Sequence, residues 1–173
     1  MSVSLIIPVY NELNQIEFTI KKLMKFRKVF NNFEAIFIND FSNDGTENII
    51  RKYAKTKKFI KLYKNKKKGL GSAIQVGVLN SRKDYICVFM SDLSDDLNDL
   101  KKYYKIILKN KLDAVFGTRF SDNSKVKNYP FIKLFLNRVF NHFVRLVFFS
   151  KYNDFTNAFK LYKKKTILKC LPI

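Results

Sequence analysis

A chain of 173 residues with 47% hydrophobic and 16% aromatic content is long enough for one domain with a true core and too apolar for a disordered segment. Its formal charge of +20 makes a self-repelling surface suited to an anionic counterpart such as nucleic acid, membrane lipid or a phosphorylated substrate, although a general lysine bias gives the same excess. Cys87 and Cys170 are too few and too scattered for a disulfide framework or a zinc site, which fits a reducing compartment.

The N-terminal MSVSLIIPVYNE lacks a charged region followed by a long apolar core, so it reads as a strand over Val3 to Pro8 rather than a signal peptide. Ile16, Ile20, Leu23 and Met24 then fall at helical spacing after Asn11 and Glu12. Phe33 to Asn39 is a second strand, Asp40 to Thr46 its loop, and Glu47 to Ala54 a helix with an acid in its first turn. Phe59 to Tyr63 is a third strand, and Gly69 to Asn80 a helix entered through GLGSA. Tyr85 to Phe89 is a fourth strand, Leu97 to Lys109 a helix and Leu112 to Phe116 a fifth strand. Strands separated by helices imply right-handed crossovers, hence an α/β, Rossmann-like, mostly parallel sheet with helices on both faces. No Pro/Gly/Ser linker marks a boundary, so residues 1–173 are expected to form a single domain, C-terminally short and without a transmembrane segment.

Charge is not spread evenly. Ten basic residues and no acid lie between Arg51 and Lys68, part of them the solvated side of a helix and an edge strand. No nucleic-acid reading module accompanies them, and the aromatic residues sit mostly at core-facing strand positions, so nucleic acid is not the expected partner. Carboxylates gather instead at YICVFMSDLSDD, where a buried strand ends in Asp92, Asp95 and Asp96. Ligands of open α/β sheets bind beyond the carboxyl ends of the strands, so these acids are a natural seat for Mg2+ or Mn2+, with Asp92 holding the ion and the ion a diphosphate. Asp40 ends the second strand and can accept hydrogen bonds from a base edge or ribose hydroxyls, whereas Asp44, before Gly45, also suits a turn brace.

The segments LIIPVYNE, FINDFSNDGT, NKKKGLGSAIQVG, MSDLSDD, FGTRF and DFTNAFKLY occur in the order and spacing of glycosyltransferase family 2, and the chain resembles its polyprenyl-phosphate sugar transferases of the dolichol-phosphate mannosyltransferase type. The resemblance implies a GT-A fold, a nucleotide-diphosphate-sugar donor and inversion at the anomeric carbon. Carried over by position, it places Pro8, Tyr10, Glu12, Asp40, Asp44 and Gly71 about the nucleotide sugar, and Asp92 at the metal. Arg119, Asn157 and Lys160 fall near the diphosphate or the acceptor phosphate. Two departures matter. Met90 stands where the family usually has an Asp two residues before the metal ligand, so Asp92 is expected to act with Ser94, Asp95, diphosphate oxygens or water. Asn157-Ala158-Phe159-Lys160 replaces a motif that often ends in Arg, keeping a cation but losing the bidentate fork.

The implied reaction moves a sugar to a polyprenyl (dolichyl or undecaprenyl) phosphate, an acceptor already ionised and needing no base. A glycan hydroxyl as acceptor would require one, from Asp95, Asp96 or Asp154. A third alternative is a weakened module that binds nucleotide sugar or anionic lipid without turnover. His142, the single histidine, falls in an apolar helical stretch and reads as structural or interfacial. That stretch, Phe131 to Phe149, carries Lys133, Arg138 and Arg145. It is either a helix packed under the sheet edge or one lying in lipid headgroups. The second alternative entails peripheral contact at the cytoplasmic face of a membrane, with a membrane-anchoring partner subunit as a further possibility.

Overall fold

The computed structural model describes residues 2–120 and 131–171, with the side chains of Phe131 and Lys133 also left aside. The chain divides into two compact units, Met1–Val115 with Phe159–Ile173 and Phe116–Ala158, and each is described by itself.

In the larger unit the order is β1 (Val3–Val9), α1 (Leu13–Arg27), β2 (Phe33–Asn39), α2 (Thr46–Thr56), β3 (Ile60–Lys64), α3 (Leu70–Asn80), β4 (Tyr85–Val88) and α4 (Leu97–Lys109). There follow β5 (Ala114–Phe116), α5 (Phe131–Val147), β6 (Lys160–Lys163) and α6 (Lys164–Cys170), with α5 in the smaller unit. The six strands form one sheet in the order β3-β2-β1-β4-β6-β5. β1 pairs in parallel with β2 and β4, β2 in parallel with β3, and β6 antiparallel with β4. The expected mostly parallel sheet is thus present, flanked by helices. β6 and α6 are additions that the sequence reading left out.

Strand pleat and helix period explain the two cores. Along β1 the side chains of Val3, Leu5, Ile7 and Val9 turn to one face, where they meet Ile16, Ile20 and Leu23 of α1 and Leu100 and Ile107 of α4. Ile6 turns to the other face, with Ile36, Ile38 and Ile86 against Ala73 and Val78 of α3. Both faces are covered, which is why β1 and β2 are buried along their whole length. The approach of α3 is close: a Cβ on Gly77 would fall 2.2 Å from Ile6 Cγ2. The central position of β1 sends its carboxyl end, together with those of β2, β3 and β4, to one edge of the sheet.

Candidate functional site

That edge is built from four loops whose backbones are held in uncommon conformations. Asn11 after β1, Phe41 after β2 and Leu93 after β4 all have positive φ, at 52°, 64° and 59°. Left-handed backbone at non-glycine residues persists only where surrounding contacts fix it, and such positions gather at ligand sites.

The contacts are visible. Asp44 takes Leu13 N on one carboxylate oxygen at 2.9 Å, and the Thr46 amide and hydroxyl on the other at 3.0 and 2.6 Å. The Thr46 hydroxyl oxygen in turn accepts Glu12 N at 2.9 Å. Hydrogen bonds from Thr46 hold the Asp44 carboxyl below its ordinary pKa, against the opposing effect of desolvation. Asp44 therefore binds the β2 loop to the start of α1, as a turn brace would.

Asp40 is buried at the end of β2. Asn65 donates to it at 2.7 Å and Gly69 N to both its oxygens at 3.0 Å, while Ser72 donates to the Asn65 side-chain oxygen at 2.8 Å. The carboxylate so fixes Gly69, whose φ of 132° turns the chain into α3. Gly71 lies exposed in the first turn of α3, with open space where a Cβ would stand. Tyr10 is 48% exposed, and Lys68 Nζ lies 4.6 Å from its ring centroid and 3.4 Å from its hydroxyl. Pro8 is buried, beyond the last β1–β4 pair, Ile6 with Val88, where its missing N–H takes nothing from that ladder.

The fourth loop holds Asp92. Glu12 accepts the Ser91 hydroxyl at 2.9 Å, and the buried Thr19 hydroxyl donates to Ser91 O at 2.7 Å. One side chain after β1 and one from α1 thus fix the residue before Asp92. The Asp92 carboxylate itself is exposed and accepts Ser94 N through Oδ1 at 3.0 Å. Ser94 is exposed and Asp95 half-buried, and the Asp95 charge adds to burial in pushing the Cys87 thiol well up. Asp96 accepts Asn98 N at 2.9 Å as the N-cap of α4.

Among the described residues no three His, Cys, Asp or Glu side chains converge as a metal cage. An exposed carboxylate on a rigid turn fits an ion that arrives already coordinated by diphosphate, since magnesium keeps several non-protein ligands and needs only one or two carboxylates. Asp92 is accordingly the residue that could hold such an ion, with Ser94 and Asp95 in the same loop.

Lys160 opens β6, and the pairing of Leu161 with Cys87 sets it level with Val88, at the carboxyl end of β4. In the smaller unit Arg119 is engaged by Asp154: Nε donates to Oδ2 at 2.9 Å and Nη2 to Oδ1 at 2.7 Å, and Nη2 also donates to Thr156 Oγ1 at 2.8 Å. The Arg119 amide adds a further bond to the same carboxylate. Burial raises the Asp154 pKa, but the hydrogen bonds and charge of Arg119 outweigh it and the net shift is downward. The Nε and Nη2 side of the fork expected for phosphate thus faces a carboxylate. Asn157 is buried, and its amide donates to Gly117 O at 3.1 Å, bracing the same FGTRF segment. His142 is exposed on α5.

Residues 4–171 match the profile of Glycosyl transferase family 2. The chain belongs to this family. Among curated relatives, a dolichyl-phosphate beta-glucosyltransferase of Dictyostelium discoideum is 27% identical over 98% of this chain and 56% of its own length. A dolichol-phosphate mannosyltransferase of Pyrococcus furiosus is 28% identical over 80% of this chain and 39% of its own. The chain therefore spans about half or less of these relatives. Of solved structures, Staphylococcus aureus TarS 1–349 superposes with a TM-score of 0.67 at 19% identity, over 98% of this chain and 49% of that one. The Pyrobaculum calidifontis mannosyltransferase PcManGT, in complex with GDP-Man and Mn2+, gives 0.67 at 17% identity, over 97% and 46%. The family 2 fold is GT-A, as the resemblance implied.

Thr19, Ser91 and Asn65 are the parts of the edge that the sequence reading missed. Thr19 sits in a helix among apolar neighbours and meets Ser91 across 72 positions, a contact with no local signature. Asn65 opens the NKKKGLGSAIQVG segment, and its bond to Asp40 spans 25 positions.

Proposed function

We propose that this chain is the catalytic part of an inverting glycosyltransferase that moves a sugar from a nucleotide-diphosphate-sugar to a polyprenyl phosphate, such as dolichyl or undecaprenyl phosphate, with Mg2+ or Mn2+. The observation that carries the choice of acceptor is the engagement of the acids. Of the three candidate bases, Asp96 caps a helix, Asp154 is buried in an ion pair and Asp95 is half-buried, which suits an acceptor that arrives ionised and needs no proton removed. The named activities of the curated relatives support the same reading.

In this reading Tyr10, Asp40 and the α3 entry at Gly69 to Gly71 receive the nucleoside, with Pro8, Glu12 and Asp44 keeping the loops that surround it in place. Asp92 holds the ion, which when bound supplies charge relief for the departing diphosphate. Arg119, fixed by Asp154, and Lys160 contribute positive charge toward phosphate oxygens, and Asn157 holds the backbone before Arg119. Fixed charges of this kind stabilise developing negative charge without reorganising during reaction. Peripheral contact with the cytoplasmic face of a membrane, with or without an anchoring partner subunit, completes the proposal. The test is transfer from UDP- and GDP-sugars with Mn2+, offering polyprenyl phosphate and free sugars in parallel. Transfer to the phosphate alone is expected, whereas transfer only to a sugar hydroxyl would overturn the acceptor.

A further inference from the structure

α5 is amphipathic with its faces reversed. Asn141 is buried and Leu134, Asn137 and Val144 half-buried, so this mixed face looks inward. There Asn137 donates to Thr156 Oγ1 at 2.9 Å and Asn141 Oδ1 accepts Phe155 N. Ile132, Phe135, Leu136, Val139, Phe140 and Phe143 face solvent, at 51–74% exposure, and the stripe continues through Leu146 to Phe149 at 95%. A helix of a globular domain turns its apolar side to the core, and a contiguous apolar stripe facing water marks a contact surface.

The flank of the stripe adds a second, independent observation. Arg138, His142 and Arg145 line a cavity of about 410 Å³ together with Val139, Asn141 and Asn153. No Asp or Glu occurs between Phe131 and Asn153. Apposing two copies along this helix would set arginines against a helix that holds no carboxylate to meet them, a repulsive arrangement. Anionic headgroups above an apolar interior supply what both features lack. A 17-residue helix is about 25 Å long and interrupted by charge, suited to lie in an interface rather than cross it.

We infer that α5 is a membrane-docking surface for anionic phospholipid, its Phe and Leu side chains entering the acyl boundary and the Arg138–His142–Arg145 cavity receiving a lipid phosphate. This names the surface behind the membrane contact proposed above and rests on that reading for the choice of lipid as occupant. The test is co-flotation of the full chain with vesicles of phosphatidylcholine alone or mixed with phosphatidylglycerol. Binding at least about tenfold tighter to the mixed vesicles is expected. Phe135→Ser with Phe143→Ser, both exposed and so compatible with folding, should lower binding by tenfold or more, and Arg145→Gln by about fivefold. Asp92→Ala should bind vesicles like the parent chain, so failure of transfer and failure of docking are read separately. Equal binding to neutral and anionic vesicles, no flotation, or a dimer in sedimentation that the Phe135→Ser, Phe143→Ser chain no longer forms would each overturn the inference.

Discussion

Asp92 and Asp154 are both carboxylates, but their surroundings give them opposite tasks. Asp92 is exposed and makes one local hydrogen bond, so its removal should change stability by no more than about 0.5 kcal/mol. Asp92→Ala is expected to abolish sugar transfer with an unchanged thermal midpoint, and to lose the Mn2+-dependent gain in nucleotide affinity seen by calorimetry. Full turnover in that variant would remove the metal role. Asp154 has a fully buried side chain facing an Arg119 that is one-third exposed, so Asp154→Asn should destabilise the fold by about 2 kcal/mol. The sign with pH follows from its lowered pKa. The ionised form is favoured in the fold, so its contribution is complete above the unfolded value, near 3.8, and is lost as pH falls through the lower folded value. Melting curves from pH 6 to pH 3 should thus converge between Asp154→Asn and the parent chain. Both acids lie in segments the sequence singles out, but which of them is engaged could not be read from it, because Arg119 and Asp154 meet across 35 positions.

At the scale of elements, the apposition of α3 on β1 is set by one atom-sized gap. Gly77→Ala should cost about 1–3 kcal/mol by overpacking against Ile6, and combining it with Ile6→Ala should cost less than the two single changes together. Strict additivity in denaturant titrations would show that the helix simply shifts. The elements themselves were largely legible. Phe33 to Asn39 and Leu97 to Lys109 form over the expected residues, because an apolar run interrupted only by Glu34 before Asn39 and a strong 3.6-residue period leave few alternatives. β6 was not, since KLYK is only four residues with a lysine at each end, and its place comes from sitting between β4 and β5 in the sheet. The exposure of α5 also depended on three dimensions: composition showed the apolar residues, and only the fold showed that they face outward.

For the whole molecule, a formal charge of +20 on 173 residues implies self-repulsion in the folded state that an expanded chain partly relieves. Added salt shortens the screening length from about 10 Å at 0.1 M to about 3 Å at 1 M. The thermal midpoint is therefore expected to rise with NaCl at neutral pH, and a falling midpoint would mean that the local ion pairs dominate instead.

The late position of β6 in the chain bears on how the molecule is made. Strands β1 to β4 leave the ribosome in succession and can assemble as they emerge, but the free edge of β4 waits for a partner encoded much later in the message. At about 5–20 residues per second, nascent Tyr85–Val88 stays uncovered for several seconds, a window in which chaperone capture or aggregation competes with completion of the sheet.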